Sequence, residues 1–412
     1  MSEPVHRFVT HPSNLIFLQL DPESIPPLEG DGVQFARSAF LFPRVINPES
    51  QRPPGVEFEN VTIEFPIDLL GGAGSVPNDD NWGAGPGGYD AQRFWDLGAR
   101  GKGVRVGIAD SGLDLNHPCF SARVAAGREV PFAHFDSIGQ AVASIMPTFS
   151  HWHGTHCAAV LVGEPTSGKR RGLAPDADLA VARVLGAGNS GTVASVLAGL
   201  WWLVDQKCDV ISLSLGWPGF HEEWAAPVEA MLAAGTVVVA ASGNEFGLPG
   251  EKPTRSPANY PIAPSHQDEG LLVTVGAADV GHNIWDRSGG EVADWSGVMV
   301  KRSDGSMQPS RYATSPPQLV PTLVGPGIDV VSAIPNGEYL SSTGTSMATP
   351  HLAGLIVLAL SFLRKTNTTT KPRAAAERVL QHLIDLPIAG PDTRSGRGRV
   401  DFGGLITDLV ST

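Results

Sequence analysis

Cysteine is scarce in this 412-residue chain. Cys119, Cys157 and Cys208 are all there are, too few and too odd in number for a disulfide framework. Charge is sparse as well: 17% of residues are charged, against about a quarter in an ordinary globular domain. The 29 Lys and Arg are outnumbered by 42 Asp and Glu, giving a net charge of -13 with no basic cluster. Such a surface lacks the phosphate-neutralising term of nucleic-acid binding, which excludes nucleic acid as a partner. Long apolar runs are missing too. The longest, LAGLIVLALSFL from Leu352, falls short of the ~20 residues that span a bilayer, so no membrane partner is expected. The opening MSEPVHRFVTHPSNLIFLQL has no basic start, continuous apolar core or small-residue cleavage site of a secretory leader. These absences point to a cytoplasmic protein.

What is abundant is glycine, 48 residues, and proline, 34, in a chain that is 42% hydrophobic. That balance suits tight turns and buried strands. Residues 1–75 hold strand-like runs, NLIFLQL, QFARSAFLF and GVEFENVTIEF, between proline-rich breaks, and form a small β-rich N-terminal region. A Gly/Pro/Asn-rich connection, GGAGSVPNDDNWGAGPGGYD, follows. From Gly101 the elements alternate. VRVGIAD, ADLAVARVL, CDVISLSLG, TVVVAASGN and LLVTVGAAD read as strands, and HGTHCAAVLVG, VASVLAGLWWLVDQ and WAAPVEAMLAAG as helices. Apolar, non-alternating strands between helices predict an α/β three-layer sandwich with a mostly parallel central sheet. Ligands of such sheets sit beyond the carboxyl ends of the strands, where Asp110, Ser214 and Asn244 all fall. Residues 281–321 break the pattern and read as an insertion with its own turns or hairpin.

Three segments carry chemistry: GIADSGLD, HGTHCA and STGTSMATPHLAG. Acyl transfer by serine needs a hydroxyl, an imidazole to take its proton and a carboxylate to orient the imidazole. Ser346, His153 and Asp110 supply these. A serine at the start of an apolar helix also feels the helix's positive end, and Pro350, expected in the first turn, costs that helix little.

From about Val76 to the C-terminus the chain resembles the subtilisin-like serine peptidases, the subtilases. YDAQRFWDLGARGKGVRVGIADSGLDLNHP resembles the start of their catalytic domain, HGTHCAAVLVG the histidine motif, GTSMATPHLAG the serine motif and SGRGRVDFGGLI the closing segment. The order Asp, His, Ser is that of subtilisin. The resemblance implies a serine endopeptidase acting on peptide or protein substrates, with Asp110, His153 and Ser346 catalytic. It makes Asn244, in ASGN, an oxyanion donor alongside the Ser346 amide. Ser214, Leu215 and Gly216 would pair with substrate backbone and wall a pocket for the substrate side chain, opposite Ala241, Ser242 and Gly243. Trp217 follows where relatives have a small residue. The family's N-terminal pro-domains suggest residues 1–75 as an intramolecular inhibitor that is removed. No cofactor is required. Structural calcium remains an option, but the usual loop, here GEPTSGKRRGLAPDAD, carries Lys169, Arg170 and Arg171 where calcium wants hard oxygens.

Other readings stand beside this one. His151, His153 and His156 have a spacing that occurs at metal centres, which a metal-dependent hydrolase would use. A dedicated precursor-processing protease or peptide ligase would share the triad, and a catalytically silent peptide-binding scaffold would keep only the cleft. His117, His156 and His351 read as structural, and Cys157, a turn beyond His153, as a small buried hydrophobe. Trp152, beside the base where relatives have glycine, has no assigned role beyond shaping the cleft.

Overall fold

The computed structural model describes residues 80–411 apart from 145, 264, 303–304 and 387–389, together with three short strands nearer the N-terminus. Two of these, Ile16–Gln19 and Thr62–Ile63, fall within expected strand runs, and Ile16–Gln19 pairs antiparallel with Arg7–Thr10. The run QFARSAFLF lies outside the described residues.

Among the described residues ten strands make one sheet. From one edge they run Leu383–Ile384, Arg399–Val400, Leu323–Pro326, Leu271–Ala278, Val237–Ala241, Val210–Leu213, Arg105–Asp110, Asp178–Arg183, Phe132–Phe135 and Ala141–Val142. Every neighbouring pair is parallel except the outermost pair at each edge, which is antiparallel. The central strands are apolar through their middles because both faces are covered. Val106, Ile108, Val210, Val237 and Val239 join one core layer, and Ala109, Ile211, Val238 and Ala240 the other. This is period-two alternation between two buried faces.

Helices Trp152–Val162, Thr345–Thr366, Pro372–Gln381 and Phe402–Ser411 cover the first face; Val193–Asp205 and Ala225–Ala233 cover the second. The helix Val193–Asp205 begins with a capping box, in which Thr192 and Ser195 each bond the other's backbone N–H at 3.0 Å. By length and composition Thr345–Thr366 could cross a membrane. In the fold it is the central core helix, with Leu352, Leu355, Ile356, Leu358 and Leu360 fully buried. Each such side chain stabilises the fold by about 1.5–3 kcal/mol relative to exposure.

Arg105–Asp110 is the pivot of the sheet. Later strands are laid on one side of it at Asp178–Arg183 and on the other at Val210–Leu213, so their carboxyl ends diverge and leave a crevice there. Residues 281–321 contain a hairpin, Met299–Lys301 with Met307–Pro309. They are anchored by buried Trp295 against Phe220, Tyr260 and Tyr312, and by Arg311–Glu229.

Candidate active site

Asp110 ends its strand, and the loop after it is stitched to the start of the helix Trp152–Val162. Ser111 Oγ accepts from Gly154 N at 2.9 Å and donates to His151 O at 3.1 Å. Ser150 N donates to Ser111 O at 2.9 Å. The approach depends on Gly154, where a Cβ would lie 2.2 Å from Gly112 O. Held this way, His153 donates from Nδ1 to Asp110 Oδ1 and Oδ2, at 2.9 and 3.0 Å. Both residues are buried. Burial opposes the charged imidazole, but the Asp110 carboxylate outweighs it and carries the His153 pKa well above its ordinary value.

The other histidines separate. His151 caps the helix, its Nδ1 accepting from His153 N, and burial with the neighbouring His153 lowers its pKa to about 4. His156 sets Nε2 3.2 Å from both Val330 O and Leu340 O, and burial lowers its pKa to about 3. Trp152 lies among all three, with ring centroids 5.1 Å from His151 and 5.7 Å from His153 and His156. It packs on Cys157, Val160, Val330 and Met347. The three histidines therefore do not converge on a point. Among the described residues the metal-ligating atoms that do converge are those of Asp110, His153 and Cys157, within 4.8 Å, which is the hydrogen-bonded pair plus a buried thiol whose pKa is raised by burial. His117 and His351 are buried in structural contacts, His117 Nε2 at Glu338 O and His351 Nδ1 at Met347 O.

Ser346 is the second residue of its helix, so its N–H has no intrahelical acceptor. Pro350 lies not in the first turn, as expected, but at the sixth position of the helix. A residue there would ordinarily donate its N–H to the carbonyl of Ser346. Proline cannot, and the freed Ser346 carbonyl accepts from Ser214 Oγ at 2.8 Å, with Cys157 Sγ at 3.5 Å. In return Ser346 Oγ donates to Ser214 O at 3.1 Å. Among the described hydrogen bonds none joins Ser346 Oγ to His153.

Asn244 follows the strand Val237–Ala241 and is fixed by Thr345. Its Oδ1 accepts from Thr345 N at 3.0 Å and lies 3.0 Å from Thr345 Oγ1. A backbone N–H can only donate, so the atom facing it must be the oxygen. The amide NH₂ is thereby turned away from Thr345. Ser214, Leu215 and Gly216 follow the strand Val210–Leu213, while Ala241, Ser242 and Gly243 end and follow the neighbouring parallel strand Val237–Ala241, so both segments lie at carboxyl ends of the sheet. Trp217, rather than lying open, stacks on His221 with centroids 3.8 Å apart.

A sequence model of the subtilase family matches residues 101–398. The chain belongs to the subtilase family. It is 30% identical over 260 residues to an intracellular serine protease of Paenibacillus polymyxa, covering 63% of this chain and 67% of that one. It is 29% identical over 311 residues to the major intracellular serine protease of Bacillus subtilis, covering 75% and 84%. With thermitase of Thermoactinomyces vulgaris it shares 30% identity over 330 residues, 79% of this chain and 97% of thermitase. This subtilase is accordingly a serine endopeptidase, a hydrolase of peptide or protein substrates.

Several residues at the site escaped the sequence reading. Ser111 was adjacent to Asp110 and Thr345 adjacent to Ser346, so proximity was the available signal. Gly191 and Thr192 help line a cavity of about 340 Å³ with Phe135, Leu185 and Ser190, reached by the loop that leaves the strand Asp178–Arg183. The rule that ligands lie beyond strand ends pointed to it. In the loop 163–172, Arg170 contacts Asp80 through its backbone N–H and guanidinium, and Arg171 lies 4.2 Å over the Tyr339 ring.

Proposed function

We propose that this subtilase hydrolyses peptide bonds through Asp110, His153 and Ser346, with Asn244 and the Ser346 amide as oxyanion donors. The Ser346 hydroxyl turns from Ser214 O to His153 Nε2 and attacks the scissile carbonyl. His153 takes the proton, Asp110 stabilises the resulting cation, and the tetrahedral oxyanion is met by Asn244 Nδ2 and Ser346 N–H. His153 returns the proton to the leaving amine. Water then repeats the sequence on the acyl-enzyme. Substrate backbone lies along Ser214–Gly216, its side chain directed between that edge and Ala241–Gly243.

The observation that supports this most is the buried His153–Asp110 contact at 2.9 Å, which fixes the tautomer and leaves Nε2 as the basic nitrogen. A fluorophosphonate is expected to label Ser346 in wild type and nothing in Ser346→Ala. A folded wild type that resists labelling overturns the reading.

A second proposal concerns the N-terminal region as an intramolecular inhibitor. Thr62–Ile63 pairs antiparallel with Gly191–Thr192, the manner in which an extended peptide adds to an exposed edge. Wild type should shed the segment and Ser346→Ala retain it; equal processing contradicts autocatalysis. The loop 163–172 offers guanidinium groups where calcium requires oxygens, so no ion is assigned to it. The relatives named intracellular and three buried free cysteines support a cytoplasmic location.

A further inference from the structure

The two backbone edges that would flank the substrate side chain are tied together by a single residue outside both. Arg255 donates its backbone N–H to Ser242 O at 3.0 Å and its Nη1 to Gly216 O at 3.1 Å. Its Nε donates to Glu245 Oε2 at 2.9 Å, and its Nη2 contacts Glu245 Oε1. The same Glu245 Oε2 accepts from Asn244 N at 2.9 Å. Arg255 is 3% exposed and Glu245 2%, so the ion pair is not a surface feature. It fills the interval between the two edges.

The glycines measure how completely. A Cβ on Gly216 would lie 2.8 Å from Arg255 Cβ. One on Gly243, whose φ is +121°, would lie 3.0 Å from Glu245 Oε2 and 3.1 Å from Arg255 Cγ. Not even a methyl group fits on those faces without movement. A buried, bidentate Arg–carboxylate pair is also costly to open, since displacing one partner strands the other's charge away from water.

We propose that Arg255 and Glu245 are specificity-determining residues that close the floor of the side-chain pocket and restrict cleavage to bonds following glycine, alanine or serine. The pair rejects aromatic and long aliphatic side chains by occupying their space. It rejects acidic ones because the guanidinium is already matched by the Glu245 carboxylate, with Nε and Nη2 on Glu245 and Nη1 on Gly216 O. This rests on the assignment of the cleft above, and its test is separable from that of the chemistry.

Binding is measured on Ser346→Ala, which needs no turnover, with peptides differing only in the residue before the scissile position. The alanine peptide should bind at least ~10-fold more tightly than the phenylalanine or glutamate peptide. Wild type, active by fluorophosphonate labelling, should cleave after alanine about 10²-fold faster in kcat/KM than after phenylalanine, the scale on which pocket size discriminates. Equal affinity for alanine and phenylalanine peptides, or a preference for glutamate, overturns the proposal whether or not the enzyme labels. The double variant Arg255→Ala with Glu245→Gln removes both buried charges and keeps an acceptor for Asn244 N. It should gain the phenylalanine peptide relative to alanine; an unchanged ratio in a variant that still binds alanine counts against the pair as the floor.

Discussion

At the scale of single residues, His153 and Asn244 carry the sharpest consequences. An unperturbed imidazole is half-protonated near pH 6.5. Burial opposes the His153 cation and Asp110 favours it, with the balance raising the pKa. Because the base must be neutral to accept a proton, the acid limb of kcat/KM should lie above pH 6.5 and move down in Asp110→Asn. That variant should lose about 10⁴-fold in kcat; an acid limb at or below 6.5 in wild type contradicts the coupling. The sign for stability is opposite. A raised folded pKa means the pair's contribution is complete below about pH 6.5 and is lost as pH rises through the folded value. Denaturant titrations of wild type and Asp110→Asn should therefore diverge most in acid. Under the proposed mechanism Asn244→Ala should cost about 10²–10³ in kcat with KM little changed, since the oxyanion assigned to its amide exists only in the transition state. Thr345, whose N–H orients that amide, was invisible as a functional residue because its role depends on what it faces.

At the scale of elements, the central part of the strand–helix alternation was legible. Arg105–Asp110 and the helix Val193–Asp205 stand within a residue of the runs that announced them, and Val237–Ala241 within three. Short edge strands such as Phe132–Phe135 were not. Half-exposed and four residues long, they lack the apolar density that marks a central strand. Pro350 was visible but misplaced by one turn, because the helix starts at Thr345 and an apolar pattern does not announce its own first residue. The helix Trp152–Val162 owes its depth to Gly154. Gly154→Ala puts a methyl 2.2 Å from Gly112 O, so the helix must retreat from the Asp110 loop. A displacement of this kind is expected to cost on the order of 10²-fold in kcat/KM, with a lower Tm. Near-wild-type kinetics would show that the loop moves instead.

At the scale of the molecule, composition excluded a disulfide scaffold correctly: all three cysteines are free and buried. The low charge reflects a sheet covered on both faces. The proposal that the loop 163–172, with Arg170 on Asp80 and Arg171 over Tyr339, holds no ion has a measurable outcome. EDTA should leave Tm unchanged, whereas a fall of several degrees would reveal a metal held elsewhere. Long-range pairings resisted sequence reading most. Arg255 reaches Gly216 across 39 positions and Asn81 Nδ2 reaches Arg171 O across 90, and neither separation leaves a local pattern.

The reciprocal bonds between Ser214 and Ser346 make the proposed substrate edge and the proposed nucleophile a single mechanical part. Each gauges its position from the other's peptide group. A distortion that widens the edge drags the nucleophile with it, so damage there should lower kcat and raise KM in step. The two parameters are geared together, and evolution could not retune the grip on substrate at that edge without resetting the trigger.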